Sequence, residues 1–552
     1  MKKKSFLMAV LAMFVGGGGL MAQTPLDTKN AYAYDVTVST DEDQQMAMVS
    51  YRLNAPATEV KVLADIDGTV TEYNGTTNAT KENNLNSAIV PLVGLAKGTV
   101  VKISVKVTSP ALETATVCAT GYQFYHPQGV ATDNDPESPY FGRIYATECM
   151  DAPNDTYLSG PTNSIGQALY VFDPTFAPLK NKDDKYGFNG GLTFNDKFTN
   201  GQQDYDPRKV RISKDGRVFV SAQNEKGVAL YELNPEDLNA DWTPVIYGTP
   251  DAENPYQALD AEGNFICATN ISFDVKGEGE DLQVLMLSDN APGAFAYANR
   301  RVDEYNLGTN VAWNKVPSKN IAALSGVYTI TSSSVNIVYD NEGGIWYFQY
   351  RGGPTEAEPA IVHVNAAGEE DFKDLTPNLR AGAVCFNADF SLIAFACASK
   401  QIGVYTITKD EAGKPVLTQK YKFDTTIGNN TNDLCWDYAN NLYIVGNSNE
   451  WIKCVALPRE SGDVVTPAAA QYAITIGVTT SVDNFETPAN VTVRHNTICV
   501  EAVAGTPVQV YNVAGQLLYN APAVNGTTQI SGMPAGINIV RVADKAVKVF
   551  VK

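Results

Sequence analysis

The chain has 552 residues, with 61 Asp and Glu against 41 Lys and Arg, and a formal net charge of −20. An acidic surface of this size repels nucleic-acid phosphates and anionic lipid heads, which excludes nucleic-acid binding as a function class. No stretch after residue 22 approaches the apolar length of a transmembrane helix, so membrane insertion is not expected either.

The length suggests about three or four domains. With 28 Tyr, 21 Phe, frequent Gly and Asn turns and no long helical periodicity, the expected fold class is all-β, built from many short strands. Lys2-Lys3-Lys4, the apolar run from Ser5 to Val15, and Gly16 to Gly19 before Leu20-Met21-Ala22 read as a secretory signal peptide over 1–22. Its apolar core is too short to span a bilayer, and the first cysteine is Cys118, so no lipobox cysteine is present. Loss of Lys2, Lys3 and Lys4 takes the net charge of the mature protein from −20 to −23.

Residues 31–110 alternate apolar and polar positions, with turns every ten or so residues. Examples are Met48-Val-Ser-Tyr51-Arg-Leu53 and Gly98-Thr-Val-Val-Lys-Ile-Ser-Val105. This pattern predicts a β-sandwich. The segment resembles the immunoglobulin-like module of flagellar hook-capping proteins, which implies a spacer or docking platform.

Residues 121–460 carry a repeat. Segments 383–407 and 433–457 align at a shift of 50, placing Cys385 on Cys435, Phe386 on Trp436 and Ile402 on Ile452. Segment 210–233 aligns with 384–407 at a shift of 174, and 337–348 with 384–395 at a shift of 47. Each unit reads as apolar strand, Asp/Asn turn, apolar strand, polar turn, apolar strand, with hairpin chemistry such as Asp215-Gly216. A period near 45–50 residues with three or four strands predicts a β-propeller. Six blades are favoured, near 128–176, 207–236, 265–307, 335–366, 382–410 and 432–458, with five, seven or eight also allowed by the pattern. In general plan the region resembles the six-bladed propellers of the NHL and strictosidine-synthase-like type.

Candidate ligand-binding residues lie in its turns. Asp133 and Asp135, Asp204 and Asp206, and Asn432 and Asp433 offer oxygen ligands of the kind calcium takes. The same residues serve equally as Asx-turn formers, a reading that Pro136 strengthens for the first pair. Trp242 and Trp313, between blades or at a blade edge, are expected on the surface as contacts for a sugar or peptide. Trp346 and Trp436 lie inside repeated strands and are expected in the core.

Only three histidines are present: His126 in a loop, His363 expected to face outward from Ile361-Val-His-Val364, and His495 in the C-terminal region. No nucleophile elbow, HExxH or Ser/His/Asp arrangement occurs. The eight cysteines show no CxxC, and several sit in apolar strands, where they act as small buried side chains. A disulfide stays open because the expected compartment is oxidising.

A Pro-containing linker is expected at 461–481, followed by a small β-sandwich at 482–552. That last module holds Val508-Gln-Val-Tyr511-Asn-Val-Ala-Gly515 and Gly536-Ile-Asn-Ile-Val-Arg-Val542, with Asn538 where an aromatic is usual. It resembles the C-terminal sorting domain of type IX secretion substrates. The resemblance implies recognition by that secretion machinery, a secreted or outer-membrane-surface location, and a binding site elsewhere. Two functional classes follow. One is a secreted or cell-surface binding protein whose propeller face holds a protein, peptide or glycan. The other is a secreted hydrolase or lyase using carboxylates or a metal in the channel.

Overall fold

A computed structural model describes residues 28–551, apart from 150–166, 181–206, 251–256, 290–300, 310–318, 321–334, 350–360, 375–380, 425–430, 466–471, 477–489 and shorter gaps. Every described element of regular structure is a strand except one short 3-10 turn, Gly279–Asp281. The alternation seen in the sequence is the cause: Val100–Thr108 buries Val101, Ile103, Val105 and Val107 and turns Lys102 to solvent.

The first module has two facing sheets. One joins Ala33–Thr40, Met46–Leu53 and Asn86–Pro91. The other joins Thr69–Asn74, Glu59–Ile66 and Val100–Thr108. Val36, Val49, Tyr51, Val62, Val90 and Ile103 meet between them. The expected linker at 461–481 is corrected here. Val464–Val465 and Tyr472–Thr475 both pair antiparallel with Val100–Thr108, so chain that follows the repeat region completes the second sheet. The open edge of Val100–Thr108 offers unpaired amides and carbonyls, and this segment satisfies them.

Between 116 and 456 the described strands form six successive antiparallel sheets. Sheet I starts at Pro127–Thr132, II at Val210–Ile212, IV at Val335–Tyr339, V at Ala381–Phe386 and VI at Thr431–Trp436. Sheet III is built around the long strand Phe265–Lys276 and has two short strands, Thr249–Pro250 and Gln257–Leu259, ahead of it. These six named strands touch one another in cyclic order, I to VI and back to I. Sheet VI takes its fourth strand, Thr116–Gln123, from the chain preceding sheet I, with Ile452 opposite Tyr122 and Val455 opposite Val117. The arrangement is propeller-like.

Apolar layers separate neighbouring sheets. Phe219, Leu230, Phe273, Met286 and Tyr305 fill the gap between II and III. Trp346, Phe348, Val384 and Phe395 fill that between IV and V, and Leu434, Trp436 and Ile444 pack on Ala394 and Ile402 between V and VI. Each large aromatic buried this way contributes roughly 2–3 kcal/mol of transfer free energy.

The first module is fastened to this ring by buried polar contacts. The Lys29 ammonium donates to the Pro174 carbonyl and the Tyr443 hydroxyl, both at 2.8 Å, and the Arg459 guanidinium donates to the carbonyls of Thr28 and Pro110. At the other end of the chain, Asn490–Arg494, Thr497–Glu501 and Thr527–Ile530 form one sheet. Pro507–Asn512, Leu517–Pro522, Gly536–Val542 and Lys545–Val551 form a second. The two enclose Val500, Val508, Val510, Ile530 and Val540.

Truncation after residue 459 is expected to destabilise the 31–110 module by about 2–4 kcal/mol, from the lost burial of Ile476 and the lost ladder hydrogen bonds. Truncation after 480 is expected to leave it intact. Urea unfolding combined with limited proteolysis of the first module distinguishes the two.

Candidate binding site at one end of the ring

The first strands of the six sheets converge on the ring axis, where a run of polar side chains replaces the apolar pattern. Arg211 forms a two-pronged ion pair with Asp433: Nη1 donates to Oδ2 at 2.8 Å and Nη2 to Oδ1 at 3.0 Å. The Val130 amide donates to the same Oδ2 at 3.1 Å. The Lys209 ammonium donates to the Gln128 carbonyl at 2.8 Å and to the Asn432 carbonyl, and lies 3.8 Å from Asp433.

Asn336 donates to the Asn432 carbonyl at 3.1 Å and accepts from Ser272 Oγ. Asp274 Oδ2 accepts the Tyr339 amide at 2.8 Å, and Oδ1 lies 3.8 Å from Arg211 Nε. Sheets I, II, III, IV and VI are thus joined across the axis. Two cations face two carboxylates, so the centre is close to neutral.

The physical consequences differ from group to group. Burial works against the Arg211 charge, but Asp433 outweighs it and holds the guanidinium above its ordinary value. Burial pushes Lys209 down to about 7 despite the pull of Asp433. It pushes Asp274 up to about 6, against the opposing effect of Arg211. The thiols of Cys385 and Cys435 are driven well above their ordinary value by burial, which makes them poor nucleophiles.

Above this network lies a cavity of about 580 Å³. Its walls are the ends of the first strands and the turns that follow them. On sheets V and VI they are apolar and aromatic, with Val384, Cys385, Phe386, Phe390 and Trp436. On sheets II and III they are polar, with Arg211, Ser213, Lys214, Asp274 and Lys276.

The turn carrying Phe390 is strained. Aligned turns place Gly216, Gly343 and Asn440 at the same step, with φ of +77°, +88° and +59°. Phe390 occupies that step with φ +58°. Its amide closes the turn onto the Asn387 carbonyl at 3.0 Å, as the Asn440 amide does onto Asp437. A side chain with a Cβ costs roughly 1–2 kcal/mol in this left-handed region, a cost that Gly avoids and that Asn moderates by local hydrogen bonding.

The expected site residues are dispersed. Asn432 and Asp433 do reach the axis, where their side chains bond within the protein. Both Asp433 oxygens are taken by Arg211, and the Asn432 side chain donates to the Pro127 carbonyl at 2.9 Å. Asp133 is buried in a turn, accepting from Ser138 Oγ at 2.5 Å and the Asp135 amide at 3.1 Å; burial raises its carboxyl to about 6. Asp135 lines the cavity mouth and accepts the Glu137 amide, the Asx-turn role.

Trp242 is corrected from surface to interior. It is buried in the apolar layer shared by sheets I and II, edge-on to Tyr231. Asp204, Asp206 and Trp313 lie outside the described residues. Among the described residues no group of three or more His, Cys, Asp and Glu side chains is placed to hold a metal ion.

His363 is corrected as well. It faces inward, stacked on Trp346 with ring centroids 4.6 Å apart. Its two ring nitrogens lie 2.8 Å from Asp340 and 2.5 Å from Asp371. His126 is half-buried at the start of sheet I, where burial lowers its pKa.

Sequence reading missed Lys209, Arg211, Asp274 and Phe390. A signal for Arg211 was present: the repeat alignment puts it on Cys385, which falls on Cys435, and all three line the cavity. Phe390 was signalled by a bulky residue at a step where the aligned turns carry Gly or Asn.

No protein-family model matches this chain, and no curated protein matches it. Solved structures similar to it include a Bacteroides thetaiotaomicron protein of unknown function. That protein is 12% identical, with 77% of this chain and 100% of that one covered and a TM-score of 0.33. The WD40 β-propeller domain of Doa1 is 10% identical over 62% of this chain and 99% of that one, at a TM-score of 0.34. A gluconolactonase of Xanthomonas campestris is 9% identical over 64% and 90%, at 0.35. These are likenesses of fold, and the propeller-like description stands on the sheet order and ring closure above.

Asp433→Ala is expected to cost about 3–5 kcal/mol, because it leaves Arg211 buried without its counter-charge. The paired change Arg211→Met with Asp433→Leu is expected to recover most of that loss, and a double-mutant cycle by chemical denaturation measures it.

The His363 triad predicts a stability optimum in pH. Burial lowers the imidazole pKa, but Asp340 and Asp371 outweigh it and hold it above 6.5, so its contribution fades as pH rises through that raised value. Burial raises Asp340, but His363 and the amides of Glu342 and Gly344 hold it below 3.8, so its contribution fades as pH falls through that lowered value. His363→Gln is expected to flatten the alkaline limb in melting curves taken at stepped pH.

Proposed function

We propose that this chain is an exported binding protein, with a six-bladed β-propeller that receives its partner in the cavity at one end of the ring. The carrying observation is the cavity itself. Its volume of about 580 Å³ falls within the usual range for sites that hold a small ligand or one protruding group of a larger one. One wall is aromatic and the other polar, the composition that grips and orients a protein, peptide or glycan group.

The groups that catalysis would need are engaged elsewhere. Asp433 is held by Arg211, Asp340 by His363, and the two cavity thiols are driven away from ionisation. This favours binding over the hydrolase or lyase reading, for which Asp274 is the remaining acid at the cavity floor. The signal peptide over 1–22 and the resemblance of 482–552 to a type IX sorting domain support export to the cell surface or medium. Domain boundaries follow the same reading: an immunoglobulin-like module docked on the propeller, and a C-terminal module concerned with export.

Ala388 is exposed at the cavity wall, so Ala388→Trp is expected to block the mouth without disturbing the core. Glycan-array and peptide-array binding by the mature protein should fall at least tenfold in this variant, with the melting temperature unchanged. Binding that is indifferent to the variant, or turnover of lactones or glycans that Asp274→Asn abolishes, would sink the proposal.

A further inference from the structure

We infer that the cavity selects a small organic anion: a carboxylate carried on a flat apolar or aromatic skeleton. The inference rests on the reading that the cavity binds a ligand, and takes that ligand to be a small molecule rather than a group of a protein, peptide or glycan.

Three observations carry it. Phe390 takes a left-handed backbone conformation at a turn step where the aligned turns have Gly216, Gly343 and Asn440. Strained positions of this kind persist only where the surrounding structure holds them, and they cluster at ligand sites. Its ring is half-exposed and stands 5.3 Å from the half-exposed ring of Phe386, and both line the cavity. Phe176 takes a similar conformation at φ +69° and is explained by burial in the core, whereas Phe390 is half-exposed and, tilted 40° to Phe386, forms an open aromatic wall.

The second observation is the charge at the mouth. The chain as a whole is strongly acidic, yet the carboxylates around the cavity are already engaged. Asp135 accepts the Glu137 amide, Asp274 accepts the Tyr339 amide and faces Arg211, and Asp340 accepts two amides and faces His363. Lys276 is different. Its side chain is exposed at the cavity wall and its ammonium lies over the Tyr339 ring, 5.4 Å from the centroid. Among the described residues it has no carboxylate within ion-pair distance, which leaves a cation available to a ligand.

The third observation is spacing. Lys276 ends the long strand of sheet III, Phe390 follows the first strand of sheet V, and Tyr339 of sheet IV lies between them. A ligand packed against Phe390 and extending along the wall past Tyr339 therefore brings its far end toward Lys276. Charge at one end and an apolar plane at the other match an aromatic acid, and a cationic analogue would meet Lys276 unfavourably.

Isothermal titration of the full mature chain with three probes tests this: 2-naphthoate, naphthalene-2-methanol and 2-naphthylmethylammonium. The acid is expected to bind at least tenfold more tightly than the other two. Lys276→Met is expected to remove most of that preference and reduce its salt dependence. Phe390→Asn, which keeps the turn conformation, is expected to weaken the acid at least tenfold while leaving the melting temperature unchanged or raised.

A lowered melting temperature with unchanged affinity would show that Phe390 is there for packing, and would overturn the inference. Preference for the neutral or cationic probe, blocked by Ala388→Trp, would overturn the ligand class while the cavity-binding reading survived. Absence of binding by all three probes would also overturn it, with the array experiment then deciding the broader reading alone. Acid binding unaffected by Ala388→Trp would place the probe outside the cavity and defeat the inference as well.

Discussion

The ring depends on what happens at its axis. Apolar layers hold each sheet to its neighbours, but those layers lie between sheets, and the strands that meet in the middle still carry polar groups that must be satisfied. The Arg211–Asp433 pair does this with good two-pronged geometry, and Lys209, Asn336, Asn432 and the Val130 amide complete the network. A buried pair of this kind repays its desolvation only when its remaining donors and acceptors are also engaged, and here the backbone carbonyls at the axis supply that second layer. The network joins five sheets and forms the floor beneath the cavity.

The same chain is stitched together in two directions. Thr116–Gln123, from before the ring, closes sheet VI, and Val464–Val465 with Tyr472–Thr475, from after it, closes the first module. The first module therefore takes strands from chain beyond the ring, while the ring closes with chain that lies between the two. Lys29 and Arg459 lock the joint with buried hydrogen bonds to carbonyls. A first module docked on the ring is the outcome, held in part by a segment expected to be a linker.

The cavity inherits its asymmetry from the repeats. Equivalent steps of the first strands carry Arg211 on sheet II, Cys385 on V and Cys435 on VI, so one structural layer presents a cation on one side and small apolar groups on the other. Phe390 extends the apolar side at the cost of backbone strain. Sequence divergence among repeats of one shape is thus what gives a uniform ring an asymmetric cavity.

Local chemistry made much of this legible in advance. Alternation of apolar residues, the Asp-Gly and Asn turns and the repeat spacing define strands and hairpins, because each depends only on neighbours a few residues away. Burial of Trp346 and Trp436 within repeated strands followed from the same pattern. Residues whose roles depend on ring closure were not legible. Arg211 and Asp433 are 222 positions apart and meet only because six sheets close into a circle. Trp242 is covered in the apolar layer between sheets I and II, and His363 faces inward between two carboxylates that flank it in space. The expected linker became a strand because an open sheet edge elsewhere needed its hydrogen bonds. The sequence by itself determined which segments are strands and where they turn, since those are short-range steric and hydrophobic choices. The tertiary structure decided which charges neutralise one another, which strand completes which sheet and where the cavity opens, since those depend on distances that no local pattern encodes.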